Sequence, residues 1–259
     1  SLIALSDHGR KLEFAASSIL PVISACLLPL YELVSSARLK ARKTKVGKTN
    51  GLGYDGAVLD DLLQFAIDLI TLQRKPPSDE EVQMLLEQTF TICRKTSVAA
   101  DIKNSLGVFD AVILYADVPN GSFVPMLEVL CSIHASVKSL SGPTSRAVRN
   151  LAKSRRQSEM MENLHAFLRE SCGEKCRNLN VVRGAVYVFM DLVRAYGQDG
   201  IPKFQFEHLI ESLQVVVKKD DGRLEADILE LCLNVLEGDY VHTALNNDWS
   251  EFVNLLNAC

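Results

Sequence analysis

Between Ala100 and Cys131 the apolar positions fall with the period of an α-helix. Ile102, Leu106, Phe109, Ile113 and Ala116 recur at offsets of four, three, four and three, which places them on one helical stripe. Val108, Val112 and Tyr115 form a second apolar row, and Lys103 and Asp110 share the remaining polar flank. A helix apolar on two sides packs between neighbours rather than lying on a surface. Asp117, Pro119, Asn120 and Gly121 then predict a turn, with Ser122 as cap of the next helix. There Phe123, Leu127, Leu130 and Ile133 repeat the pattern. The unit is a helix–turn–helix hairpin.

The same phase returns along the chain. Val58, Leu62, Phe65, Leu69 and Leu72 carry it, as do Val182, Val186, Phe189, Val193 and Tyr196, and then Leu224, Ile228, Leu231 and Val235. These stripes begin about 44, 80 and 42 residues apart, and the middle gap is about two units, although no such stripe begins near position 142. A period of roughly 40 to 44 residues is that of HEAT and armadillo repeats. The predicted fold is all-α: a right-handed α-solenoid of HEAT/ARM-like hairpins, about five of them, in one elongated domain over residues 1–259.

Other stretches fit between these helices. Phe14–Val34 has no charge before Glu32 and is long enough for a membrane span. Pro21, Pro29 and its serines argue instead for a buried, proline-kinked helix at one end of the array. Arg38–Lys48 is a basic run, read as part of a flexible basic loop over residues 38–55. Gly51, Gly53 and Gly56 match a phosphate-binding glycine pattern. However, a charged loop precedes them and a helix follows, so the flanking strands that a nucleotide site needs are missing. Pro76-Pro77-Ser78 starts a helix with Ser78 and Glu81 as a capping box, and Val82, Leu85, Leu86, Phe90 and Cys93 as its buried face. Phe204–Lys218, Leu224–Glu237 and Val241–Leu256 close the series, with Trp249, Phe252, Val253 and Leu256 as the apolar set of the last.

Composition narrows the class. Apolar residues make up 47% of the 259, enough for a core, and the net charge of −4 excludes a strongly basic nucleic-acid binder. Seven cysteines, an odd number scattered through helical patterns, read as free thiols of a reducing compartment. Cys172 and Cys176 are a close pair with no further ligands nearby, so no metal and no cofactor is expected. His134 and His165 lie in or beside apolar rows and read as packed, hydrogen-bonded side chains. No nucleophile–base pair or carboxylate pair is suggested by spacing, so catalytic residues are not assigned.

Two polar features remain, one suited to a partner and one to fixing the stacking register. The helix opened by Gly142-Pro143 is read as carrying Arg146, Arg149, Lys153, Arg155 and Arg156, a basic face suited to an acidic coiled coil. Arg183 follows Val182 as Lys103 follows Ile102, and repeated polar flanks at one phase predict a side-chain ladder between successive hairpins. The core and ladder set is Ile102, Leu106, Phe109, Asp110, Val182, Arg183 and Phe189.

Thr96–Cys131, Ala147–Leu151 (AVRNL) and Val182–Phe189 (VRGAVYVF) resemble the N-terminal helical-repeat region of the tuberin family. This family supplies the GTPase-activating subunit of the tuberous sclerosis complex. The similarity is good over about residues 91–196 and one of pattern elsewhere. It implies a non-catalytic scaffold that binds the coiled coil of hamartin and helps assemble a complex restraining Rheb and TOR signalling. That protein would be cytoplasmic, peripheral at lysosomal or vacuolar membranes through the complex, with neither nucleic acid nor a small-molecule substrate as partner. The family's catalytic helix belongs to a separate C-terminal domain and has no counterpart in this sequence. An alternative is an adaptor solenoid of another HEAT family, docking a membrane surface through the basic segments or a globular partner.

Overall fold

The computed structural model describes residues 9–43, 57–72, 75–170, 178–196, 206–219, 222–237 and 249–259. These are helices and short connectors, with no strand among them. The chain divides into two compact units, Ser1–Met126 and Leu127–Cys259.

The first unit holds α1 (Gly9–Lys43), α2 (Ala57–Leu72), α3 (Asp79–Lys95) and α4 (Ala99–Tyr115). α1 packs on α2 and α3, and α4 packs on both α2 and α3, so two hairpins stack like on like. α1 contains Pro21 and Pro29, and buries Leu20, Ile23, Leu27, Tyr31 and Val34 along one face. Its segment Ile19–Lys40 is long and apolar enough to cross a membrane by length and composition. In the structure about a third of that segment is buried, and Val22 and Leu33 stay exposed on the other side. Of the basic loop predicted over residues 38–55, Arg38–Lys43 continue α1 instead, and residues 44–55 lie outside the described residues. The glycine pattern at 51–56 lies outside the described residues.

α2 keeps the predicted spacing but at another phase. Leu59, Leu63, Ala66 and Ile70 are buried; of the predicted stripe only Leu69 is buried, whereas Val58 and Leu72 are exposed and Leu62 and Phe65 only partly covered. The helix is apolar on both rows, so period alone leaves two answers about 100° apart. Packing against α1 and α4 selects the second. On α3 the capping box forms as predicted: Ser78 N–H donates to Glu81 Oε2 (2.8 Å) and Glu81 N–H to Ser78 Oγ (3.4 Å).

α5 (Asn120–Ser136) begins two residues before Ser122 and runs across the division between the units. Ser122 is therefore inside the first turn, not its cap, and its Oγ is buried without a hydrogen-bond partner. A 3₁₀ turn, Lys138–Leu140, leads to α6 (Ser141–Ala152), followed by α7 (Gln157–Arg169), α8 (Leu179–Tyr196), α9 (Phe206–Lys219), α10 (Glu225–Glu237) and α11 (Ser250–Ala258). α6 packs on α7 and α8, α7 on α8 and α9, α8 on α10, and α9 on α11.

The stripe absent near position 142 is Leu140, Thr144, Ala147 and Leu151, all buried. It escapes an apolar search because Thr144 and Ala147 stand where Ile or Leu would. Thr144 tolerates burial by donating its hydroxyl to the Leu140 carbonyl at 2.7 Å. With it, buried stripes begin at Leu59, Ile102, Leu140, Val182 and Leu224, about 38 to 43 residues apart. On the last helix the buried residues are Phe252 and Leu255, while Val253 is exposed. Gly184 is required by contact: a Cβ there would stand 1.9 Å from the Cys131 backbone oxygen, so α8 lies directly on the backbone of α5.

Candidate functional site

In the first unit, polar rungs tie the hairpins. Asp101, fully buried at the start of α4, accepts from Arg38 at 2.7 and 3.1 Å and from Thr96 Oγ1 at 2.8 Å. Asn104 on α4 donates to Asp60 on α2 at 2.7 Å, and Lys95 meets Glu32 at 3.1 Å. Lys103, the residue the sequence suggested for a rung, is exposed, and its neighbour Asn104 makes the contact.

The second unit has a longer set. Half-buried Arg183 donates through Nε to Asp227 Oδ2 (3.0 Å) and through Nη2 to the Arg223 carbonyl (3.0 Å). Tyr187 donates to the other Asp227 oxygen at 2.8 Å. Burial, then that hydrogen bond and the carboxylate charge, pushes the Tyr187 hydroxyl up to about 12. Arg194 reaches Asn234 and Glu230 at 2.8 and 3.1 Å. Every one of these rungs joins α8 to α10 or the turn just before it, across 36 to 44 residues of sequence. They fix stacking register one repeat at a time.

A third cluster brings together α5, α6 and α8. His134 Nε2 lies 2.6 Å from Asp191 Oδ2, and Ser145 Oγ donates to the same oxygen at 2.5 Å. Burial alone would raise the Asp191 pKa, but the hydrogen bonds from His134 and Ser145 and the charge of Arg149 hold it below the usual range. Ser, His and Asp in contact invite a hydrolase reading, and the geometry rules that relay out. The hydroxyl donates to the carboxylate rather than to the imidazole, and His134 Nδ1 is buried without a partner. The arrangement clamps three helices. His165 is likewise packed, 3.3 Å from Ser212 Oγ, with its ring pushed down to about 4, chiefly by burial. Among the described residues no cluster of His, Cys, Asp or Glu could hold a metal ion, and Cys172 and Cys176 lie outside them.

Ile102, Leu106, Phe109, Val182 and Phe189 are buried, and Asp110 is buried beside them on α4. The five predicted cations do not share one helix, because α6 ends at Ala152. Arg146 and Arg149 are exposed on α6, Lys153 is exposed at its C-cap, and Arg155 is exposed in the turn to α7. Arg156 caps α7 and folds onto Glu159, with both contacts at 2.7 Å. Four exposed cations thus line α6 and its C-terminal turn. Of these cations Arg149 lies close enough to the Asp191 carboxylate to act on it by its charge.

Hairpins of antiparallel helices, stacked in register and joined by polar rungs, define the class: this is an α-solenoid. The chain belongs to the family described as a domain of unknown function, DUF3384, whose profile matches residues 1–259. It is 24% identical over 261 residues to the Tuberous sclerosis 2 protein homolog of Schizosaccharomyces pombe (strain 972 / ATCC 24843), covering all of this chain and 19% of that protein. The solved structure of the TSC2 N-terminus shares the fold, with a TM-score of 0.85 at 23% identity over 98% of this chain and 62% of that one. The resemblance to the tuberin N-terminal helical region therefore extends from the motifs to the whole chain. This chain spans about a fifth of the yeast relative's length.

Proposed function

We propose that this chain is a non-catalytic assembly module that binds the coiled coil of hamartin and helps build a tuberous sclerosis complex restraining Rheb and TOR signalling. The observation that carries the reading is the match of the whole chain to a Tuberous sclerosis 2 homolog, on the same fold as the TSC2 N-terminus. The physics supports it. Within each unit, stacked hairpins offer parallel helical ridges that suit an extended helical partner. The exposed cations Arg146, Arg149, Lys153 and Arg155 suit an acidic stripe on such a partner. GTPase activation belongs to another part of such a protein, and the module reaches lysosomal or vacuolar membranes through the complex.

Size-exclusion chromatography of the purified chain with hamartin coiled-coil fragments tests the reading. Co-elution is expected, with no acceleration of GTP hydrolysis by Rheb when the chain is added. Separate elution at tens of micromolar of each component would overturn it.

A further inference from the structure

Two stretches of the described chain place a pair of cations three and two residues before a serine: Arg94-Lys95-Thr96-Ser97 and Arg155-Arg156-Gln157-Ser158. Such charge patterns are what a protein kinase with an acidic substrate cleft selects. The sequence does not choose between them, and the structure does. Ser158 is already helical in the first turn of α7. Ser97 is exposed in the connector between α3 and α4, where its neighbours Thr96 (φ −83°, ψ 145°) and Val98 (φ −95°, ψ 116°) are both extended. Extended backbone is the form in which a kinase cleft binds its substrate strand. Arg94 and Lys95 are exposed in the last turn of α3, the turn that opens most readily. Val98 supplies an apolar residue immediately after the serine.

We propose that Ser97 is a phosphoryl-acceptor site for an arginine-directed protein kinase. The Ser97 hydroxyl oxygen attacks the γ-phosphorus of a magnesium-bound nucleoside triphosphate. The bond to the bridging oxygen breaks, the nucleoside diphosphate leaves, and the hydroxyl proton passes to the kinase's catalytic carboxylate. The product places a charge of about −2 beside Thr96 and Lys95. Thr96 shares the Asp101 carboxylate with Arg38 of α1, and Lys95 holds Glu32 of α1, so both neighbours of the phosphate belong to ties between α1 and the second hairpin. The phosphate competes with Asp101 for Arg38, and α1 loosens. This inference is independent of the hamartin reading.

The test is incubation of the folded chain with magnesium ATP and the catalytic subunit of a cyclic-AMP-dependent kinase, followed by phosphopeptide mapping. Ser97 is expected to be labelled at least tenfold faster than Ser158 in the folded chain, and at a similar rate in the heat-denatured chain. Arg94→Ala should slow Ser97 labelling about tenfold, and Ser97→Ala, with an unchanged circular dichroism spectrum, should abolish it. Amide hydrogen exchange in residues 31–38 should quicken on phosphorylation. Absence of label at Ser97, preference for Ser158 in the folded chain, or unchanged exchange in α1 of the phosphorylated chain would overturn the proposal.

Discussion

Arg38 on α1 grips the buried carboxylate of Asp101 at the head of α4 with two hydrogen bonds, 63 residues away in sequence. Asp101 has no exposed surface, and Arg38 keeps about a quarter of its own. Arg38→Ala would strand a carboxylate that Thr96 alone satisfies. Loss of one partner of a buried pair costs about 3–5 kcal/mol, and the partial exposure of Arg38 brings the expected loss nearer ~2–3 kcal/mol. Urea denaturation measures it. An unmoved midpoint would show that the pair contributes no net stability.

The phase of α2 is testable with two neighbouring residues. Leu59→Asp forces a charge into the packed face and should destabilise by several kcal/mol. Val58→Asp, at a position 52% exposed, should stay within about 0.5 kcal/mol. Equal effects would contradict the assigned face.

Gly184→Ala pushes a methyl group into the Cys131 carbonyl, which cannot swing aside as a side chain would. Overpacking of this kind costs about 1–3 kcal/mol or more. Thermal denaturation should show a lower melting temperature. A variant as stable as the parent would mean that α5 and α8 do not approach so closely.

His165 sets a pH dependence. Its pKa is lowered to about 4 by burial, with Arg169 and His208 adding to the effect and Glu211 opposing it. Between the unfolded value near 6.5 and about 4, the unfolded chain binds the proton and the folded one does not. Stability from this group is therefore fully present above about 6.5 and falls as pH drops toward 4. His165→Phe should flatten that part of the curve in urea melts taken across the window. An unchanged slope would assign the acid sensitivity elsewhere.

Most of the fold is legible in the chain because strict 4-3-4 spacing survives wherever one face is aliphatic. Val182, Val186, Phe189 and Val193 are all buried, as are Leu224, Ile228, Leu231 and Val235. Legibility fails where the chemistry is ambiguous. α2 is apolar on two rows, and the stripe through Thr144 uses a hydroxyl satisfied within its own helix. The basic run from Arg146 to Arg156 reads as one helix because it contains no Pro or Gly to mark the stop after Ala152. The rungs are legible in part: Arg183 follows from its phase, but its partner Asp227 does not, nor does the pair Asp60–Asn104, and both pairs are 44 residues apart, a spacing equal to the repeat. Polar residues one repeat apart are the signal such rungs leave in a sequence. The meeting of His134, Ser145 and Asp191 has no such signal, because it joins three helices at unrelated separations.

Isothermal titration of a hamartin coiled-coil fragment into this chain, beside the Arg146→Glu/Lys153→Glu variant, tests the assembly reading most directly. The account predicts saturable one-site binding by the parent and at least tenfold weaker binding by a variant with the same circular dichroism spectrum. No heat of binding with the parent, or equal affinity for both chains, would contradict it.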